Sequence, residues 1–564
     1  MSKPATAIKN EGLEKFELSD YEGIKGSNYY EACRSLQRYI KRVIVKEDLA
    51  AVEKHLAEFG ELASGRLNDL IIAAHQEGKY GVLEKFDRHG NRIDEIVYNS
   101  EQLELKQLAY DAGLANLDFQ KDWGRPFHYE HREALAYLSN MNGEGGYNCP
   151  LAMTEGMIRM LRKIATEEQR EKYLPKVTAP DAPYQFAAGQ YLTERVGGSN
   201  VGANRTIARK GENGKWYLTG EKWFCSNPSE LWVTTARIEG SETIGAFLVS
   251  RFKDNGELND HHILRLKDII GSRGKATAEV EYRDTEAELL GRPHTGLALL
   301  IKNVINVSRV HVGLAASAMA RRGFLEARAY SRKRTAFNQT INKFASIQRK
   351  LASMQTMIIA LELATFKNWS MHEAGDALFE LTLPLMKYVA SARSSRLVHD
   401  AIMIHGGNGI LNDYSVLPRL LNDCIINETW EGTHNIIAGH ATKALRRPRV
   451  KKALEELVNN AIKQGRAESE LVEITDYLEK HWQELHQVDV GRLSEANRLP
   501  LCDKVFTIFT ISLLIREAGL EPREAIYIDF ARAFVDIDRY GYEGLLPESS
   551  VLLDEQKVMA MIDY

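Results

Sequence analysis

KWYLTGEKWFCSN, residues 215–227, sets its side chains in the period-two manner of a β-strand with one face in a core. Immediately upstream, Asn213-Gly214 reads as a hairpin connection, because this dipeptide tolerates the positive φ values that a tight primed turn demands. Three further runs have the same character: LWVTTARI (231–238), TIGAFLVS (243–250) and ATAEVEYR (276–283), each bounded by turn residues. A β domain is therefore predicted over residues 184–290.

On both sides of it the pattern turns helical. Upstream, residues 1–183 carry apolar positions at three- and four-residue intervals, as in Leu49–Ala63 and Cys149–Ile164. Gly81–Asn99 departs from this pattern, and its His-Gly-Asn suggests a turn in a small insertion. Downstream, Asn306–Arg334, Ser346–Glu373 and Leu378–Ile404 form long helical blocks, broken at His405–Gly409 and resuming to about Leu445, so a helical bundle is expected over 291–447. Residues 448–564 read as a further helical extension. The expected fold is mostly α with a central β domain.

A chain of 564 residues is long enough for three or four structural units and a large buried pocket. Its 44% hydrophobic and 27% charged residues are those of a globular protein. The net charge of -4 supplies no global drive toward nucleic acid, and the extension carries 14 Lys and Arg against 22 Asp and Glu. A basic cluster, Lys443, Arg446, Arg447, Arg449, Lys451 and Lys452, is read as a solvated helix end. Cys33, Cys149, Cys225, Cys424 and Cys502 form no CxxC pair, which argues against a zinc ribbon or a disulfide scaffold, and no metal site is expected. There is no apolar leader and no run of ~18 uninterrupted apolar residues, so a cytoplasmic protein without a membrane span is expected. VFTIFTISLLI (505–515) is read as a buried helix.

Three segments carry chemistry. In Leu192–Asn200 (LTERVGGSN) two adjacent glycines among small polar residues let a ligand approach the backbone; a polar turn is the alternative. In Lys222–Asn227 (KWFCSN) an aromatic and, two residues on, a hydroxyl share a strand face suited to a flat heterocycle, unless the aromatics simply pack in a core. The third spans HGGNGI (405–410) and NETWEGTHN (427–435). There Glu431 lies between a tryptophan and a glycine, where partial desolvation would raise its pKa toward that of a useful general base; a surface loop carboxylate is the alternative.

In identity, order and spacing over about residues 130–445, these segments resemble the acyl-CoA dehydrogenase family. The family's TEPxAGSD-like signature appears as Thr193–Asn200, its KxWITN-like signature as Lys222–Asn227, and its GGNG and YEGT signatures as Gly406–Gly409 and Trp430–Thr433. Arg334, Phe337 and Ile341 match a bundle signature in which Asn338 replaces glycine and Gln348 comes three residues late. Phe86–Asp94 (FDRHGNRID), Lys222–Pro228 and Trp430–Ile436 are similar to the alkylation-response, AidB-like branch.

The resemblance implies an amino-terminal helical domain, a small β-barrel or sandwich domain and a four-helix bundle, with FAD between the last two. It assigns Leu192, Thr193, Gly198, Ser199, Phe224, Cys225 and Ser226 to the flavin, with Ser199 also near the acyl thioester. Arg334, Phe337, Gly406 and Gly407 would touch the FAD of a neighbouring subunit, and Thr433 and Asn435 would flank the base. Glu431 would abstract the α-proton of an acyl-CoA, Gly432 would border the substrate, and Arg309 would face its CoA portion. Ser308 stands where some branches carry the base, which serine cannot be. Asn200, Asn338 and Met403 depart from the usual residues at their positions. A dimer or tetramer and an electron-transfer flavoprotein as acceptor are implied. Two other functions remain open: a DNA-associated stress flavoprotein with weak dehydrogenase activity, and an acyl-CoA oxidase.

Overall fold

The computed structural model describes residues 18–120, 123–179, 187–228 and 230–564. The expected boundary at 183/184 lies outside the described residues.

The amino-terminal region is helical as its periodicity predicts, from Arg34–Val43 through Asn148–Lys163 to Glu167–Thr178. The last of these starts on a reciprocal cap, in which Thr166 accepts from the Gln169 N–H and Gln169 accepts from the Thr166 N–H. The insertion at 81–99 is more than a turn: β1 (Val82–Phe86) and β2 (Arg92–Val97) form an antiparallel hairpin. Asp87 accepts from the backbone N–H groups of His89 and Asn91 at its tip. The hairpin docks on the β domain, where Arg92 donates to the carbonyls of Asn259 and His261 and Asp94 accepts from the Ile263 N–H.

The β domain comprises β3 (Gly189–Tyr191), β4 (Ile207–Lys210), β5 (Trp216–Ser226), β6 (Leu231–Ile238), β7 (Ile244–Ser250), β8 (His261–Leu266) and β9 (Thr277–Leu289). Pairings β4–β5, β5–β9, β9–β7, β7–β6 and β6–β4 close a small barrel, with β3 beside β4 on the edge of β6 and β8 beside β9. Closure leaves few open edges. The short strand β3 and the His-rich β8 were not anticipated, since neither shows a long alternating run.

The hairpin β4–β5 forms where Asn213-Gly214 marks it, but by a different turn. Only Gly214 takes a positive φ (81°), while Asn213 Oδ1 accepts from the Lys215 N–H, so the side chain closes a longer loop in place of a primed two-residue turn. In β5 alternation sends Phe224 outward and Cys225 into the barrel core, fully buried. The Cys225 side chain thus faces away from Phe224 and Ser226, so only its backbone lies on their side of the strand.

The long helices Asn306–Lys333, Ala345–Ala374 and Phe379–His405 pack with a fourth, interrupted one made of Leu417–Thr429 and His434–Leu445. The stretch Gly296–Lys333 is long and apolar enough to cross a membrane, yet in this fold much of it is core, including Leu314, Ala316 and Phe324. The extension adds five helices, from Pro448–Arg466 to Glu555–Asp563. Its Val505–Ile515 run lies within the helix Arg498–Ala518 and is buried. Arg38 and Arg42 of the first helix grip Glu517 and Glu524, so the extension clasps the amino-terminal region and the bundle together.

Candidate active site

The interruption of the fourth bundle helix makes the site. Leu417–Thr429 ends because Trp430 turns extended (ψ 161°), Glu431 is left-handed (φ 57°) and Gly432 follows at φ 110°. A left-handed non-glycine residue costs on the order of 1–3 kcal/mol and persists only where its surroundings enforce it. Here Lys387, buried in the facing helix, enforces it by donating from Nζ to the carbonyls of Glu428 (3.0 Å) and Gly432 (2.5 Å). These are carbonyls that a broken helix leaves without intrahelical partners.

The Glu431 side chain lines a cavity of about 50 Å³ walled by Ala152, Met153, Val312, Ala315 and Met319, with polar groups among them. Gln190 Nε2 of β3 donates to Glu431 Oε1 at 2.5 Å and lies 3.2 Å from Ser308 Oγ, while Arg309 Nε donates to the Glu431 carbonyl at 3.2 Å. Burial pushes the Glu431 carboxyl above its ordinary pKa, and the Arg309 and Lys387 cations pull it partly back. Lys387 is itself pushed down to about 8 by burial. Glu431 is thus a braced carboxylate of raised basicity, not a free surface side chain. Arg309 stands beside the backbone of Glu431.

The other two segments converge on the same region. Thr193 O accepts from the Trp223 N–H at 2.7 Å, and Lys222 and Glu194, both buried, pair at 2.8 Å. Burial alone would raise the Glu194 carboxyl, but Lys222 and the N–H groups of Arg205 and Thr206 outweigh it and hold it low. This brace fixes Leu192–Ser199 against β5. Lys275 Nζ reaches Ser226 Oγ (3.2 Å) and Thr277 Oγ1 (3.0 Å) and stands over the Trp430 ring at 5.5 Å, tying the second segment to the third. Phe224 is 49% exposed beside Lys267, and Ser199 and Gly198 are exposed. A Cβ on Gly198 would fall 2.5 Å from Thr193 Oγ1, so only glycine leaves that cradle open. Thr433 immediately precedes the helix His434–Leu445 without a side-chain capping bond and, like Asn435, is exposed next to Glu431.

Arg334, Phe337, Gly406 and Gly407 gather elsewhere, where the Asn306–Lys333 and Phe379–His405 helices end. Tyr330 stacks on His405 at 4.2 Å and accepts from Asn408 Nδ2, holding the two ends together. Thr335–Ala336 pairs with Gln339–Thr340 around Phe337 (φ 50°) and Asn338 (φ 65°), the φ signs of a type I′ turn, and Phe337 is 90% exposed at its tip.

Gln190, Lys387 and Lys275 carry much of the geometry and were missed, each being an isolated polar residue without a motif. The one signal was Lys387 interrupting the apolar run Leu381–Ala390. Glu133, Glu155 and His311 do bring ligand-type atoms within 4.8 Å of one another, but Arg132 already occupies Glu155 at 2.5 Å. In the basic cluster Arg447 and Arg449 are both paired with Glu380, and Arg446 donates to the Val490 carbonyl.

Comparison with known proteins agrees with this architecture. The family model described as "Acyl-CoA dehydrogenase, C-terminal domain" matches residues 294–445, "Acyl-CoA dehydrogenase, middle domain" matches 189–285, and "Adaptive response protein AidB N-terminal domain" matches 21–182. Acyl-CoA dehydrogenase family member 11 of Caenorhabditis elegans is 29% identical over 440 residues, 73% of this chain and 69% of its own. An acyl-CoA dehydrogenase of Bacillus subtilis is 31% identical over 281 residues, 48% of this chain and 71% of its own. The crystal structure of Caenorhabditis elegans ACDH-11 in complex with C11-CoA shares the fold, with a TM-score of 0.82 at 23% identity over 93% of each chain.

Proposed function

The chain belongs to the acyl-CoA dehydrogenase family, and from that premise we propose that it converts an acyl-CoA thioester to the trans-2-enoyl-CoA, with Glu431 as base and FAD as cofactor. The observation that carries this reading is the Glu431 carboxyl, strained into a cavity and raised in pKa by burial. A base works best when its pKa approaches the working pH, and proton transfer by a positioned group contributes about 10²–10⁴-fold.

Gln190 aims the carboxylate and Lys387 holds the loop that bears it, so the α-proton passes to Glu431 Oε without rearrangement of the backbone. The residues that would hold FAD are the Leu192–Ser199 cradle, Phe224 and Ser226, with Lys275 behind the hydroxyl. When bound, FAD supplies the acceptor for the β-hydrogen, which leaves with its electron pair as the double bond forms. Ala152, Met153, Val312, Ala315 and Met319 give the cavity an apolar side on which the acyl chain can lie beside Glu431. An electron-transfer flavoprotein as the onward acceptor, a cytoplasmic location and assembly into a dimer or tetramer belong to the same reading; the last is supported by the exposed Phe337 hairpin.

The test is an anaerobic visible spectrum of the purified protein titrated with straight and branched acyl-CoAs, beside Glu431→Gln. Rapid bleaching of the flavin that the variant loses is expected. Bound flavin that no acyl-CoA reduces would sink the reading. Oxygen uptake without an added acceptor would turn it toward an oxidase.

A second reading, association with DNA, is favoured by the match of residues 21–182 to the AidB amino-terminal domain. The pairing of Arg447 and Arg449 with Glu380 opposes it. DNA affinity that falls steeply with salt would revive it.

A further inference from the structure

A pocket of about 600 Å³ opens between the β1–β2 hairpin, the helix Ser100–Asp111 and the β barrel, and none of the described residues that line it belongs to the Glu431 cavity or the FAD cradle. Lys106 is the odd residue in its wall. The helix buries Gln102, Leu105, Lys106, Ala109 and Tyr110, the three- and four-residue spacing of a face that packs inward, so a lysine stands where the pattern calls for an apolar side chain. Lys106 is 7% exposed, yet it makes no hydrogen bond or ion pair with any described residue. Its Nζ lies 3.9 Å from the centre of the Tyr98 ring, a cation over an aromatic face, and keeps accessible surface on the pocket it lines.

A buried ammonium without a counter-charge is unfavourable. Burial pushes the Lys106 pKa down to about 8, and Glu144, which forms no ion pair with it, pulls it only partly back. The carboxylates in the pocket wall do not answer this charge. Asp94 pairs with Arg92 at 3.0 Å and accepts from the Ile263 N–H, Glu230 pairs with Arg251 at 2.9 Å, and Glu95 is exposed. The rim beside the ammonium is apolar, with Val97, Leu103 and Phe252 44%, 36% and 42% exposed. The pocket thus joins one unanswered positive charge to a hydrocarbon surface that none of the described residues covers. A phosphate dianion would bring two charges to one free cation beside Asp94 and Glu230, whereas a carboxylate carries the single charge that Lys106 can balance.

We propose that this pocket is a second ligand site, which takes a small carboxylic acid with an apolar body, its carboxylate on Lys106 Nζ and its hydrocarbon against Val97, Leu103 and Phe252. The acid is held by an ion pair and by burial of apolar surface, with no covalent step. The site stands whether or not Glu431 acts as the base.

The experiment is calorimetry on the purified full chain with hexanoate and hexanamide, which match in size and differ in charge. Hexanoate is expected to bind about tenfold tighter or more, the effect that a hydrogen bond between charged groups gives. In Lys106→Met, which keeps the apolar stem and removes the charge, the ratio should fall to about one. Lys106→Gln gives the same reading if the methionine variant does not fold. Hexanoate that binds no better than hexanamide to the unaltered protein overturns the proposal without needing any variant. A ratio that survives the loss of Lys106 overturns it too, since the carboxylate then sits elsewhere. Inorganic phosphate is the third probe, and phosphate that displaces hexanoate at equal concentration overturns the choice of a carboxylate. Because no turnover is read, failure here leaves the dehydrogenase reading untouched, and failure of flavin bleaching leaves this proposal untouched.

Discussion

Around Glu431 the chain supplies its own partners: Gln190 from the barrel, Lys387 and Arg309 from two bundle helices, and Trp430 braced by Asn427. Around Phe337 the situation is reversed, for the ring projects from a two-residue turn and Gly406, Gly407, Met403 and Ile410 beside the helix ends are exposed. Both regions belong to one bundle, yet one is finished and the other presents apolar surface that none of the described residues covers. The difference teaches where preorganisation is needed. A base must be held in one place to work, whereas a surface awaiting a ligand or a second chain must stay open.

The strongest way to break this comparison is at the base. Glu431→Gln should slow acyl-CoA-dependent flavin bleaching by about 10²–10⁴-fold in stopped flow, while sedimentation shows the same assembly as the unaltered protein. A variant that bleaches normally would mean the finished region is not where the chemistry happens.

The brace beneath the cradle comes next. Glu194→Leu leaves Lys222 buried without its partner, and removing one member of such a pair costs about 3–5 kcal/mol, to be read from denaturant melts. A melt unchanged within error would show the ammonium relaxing to solvent.

Phe337→Asp then tests the open region. Aromatic anchors at interfaces contribute about 2 kcal/mol or more, so a dilution series in the ultracentrifuge should show the assembly coming apart at higher concentration than for the unaltered chain. If the assembly is unaffected, the exposed ring serves something other than a second copy.

The smallest expected effect sharpens the account of the base. Glu431 acts when ionised and its pKa lies above the ordinary value, so the single-turnover rate should fall as pH drops through that raised pKa. Lys387 is one of the cations that lower it, so Lys387→Met should move the acid limb to higher pH. Movement to lower pH would contradict the sign of that interaction.

Much of the fold was legible because it is written in neighbours along the chain. Alternation around 215–227 and the helical blocks after Asn306 each depend on local periodicity, and each appears where it was expected. Asn213-Gly214 marks its hairpin, but the Asn213 side chain, not its backbone, shapes the turn. The Glu431 loop was legible as a motif but not as a strained break in a helix, because what holds it open is Lys387, more than forty residues away in sequence. Gln190 was invisible for the same reason, reaching Glu431 across a separation of 241 residues.

By itself the amino-acid sequence determined the succession of helices and strands, the β domain at the centre and the identity of the candidate base. Only the tertiary structure decided which residues surround that base, that Cys225 turns inward while Phe224 turns out, and that three of the six basic-cluster residues are spent on Glu380 and the Val490 carbonyl. The physical reason is one of range. Periodicity and turn propensity sum over adjacent residues, but burial, charge pairing and pKa depend on distances between segments hundreds of residues apart, and packing alone sets those distances.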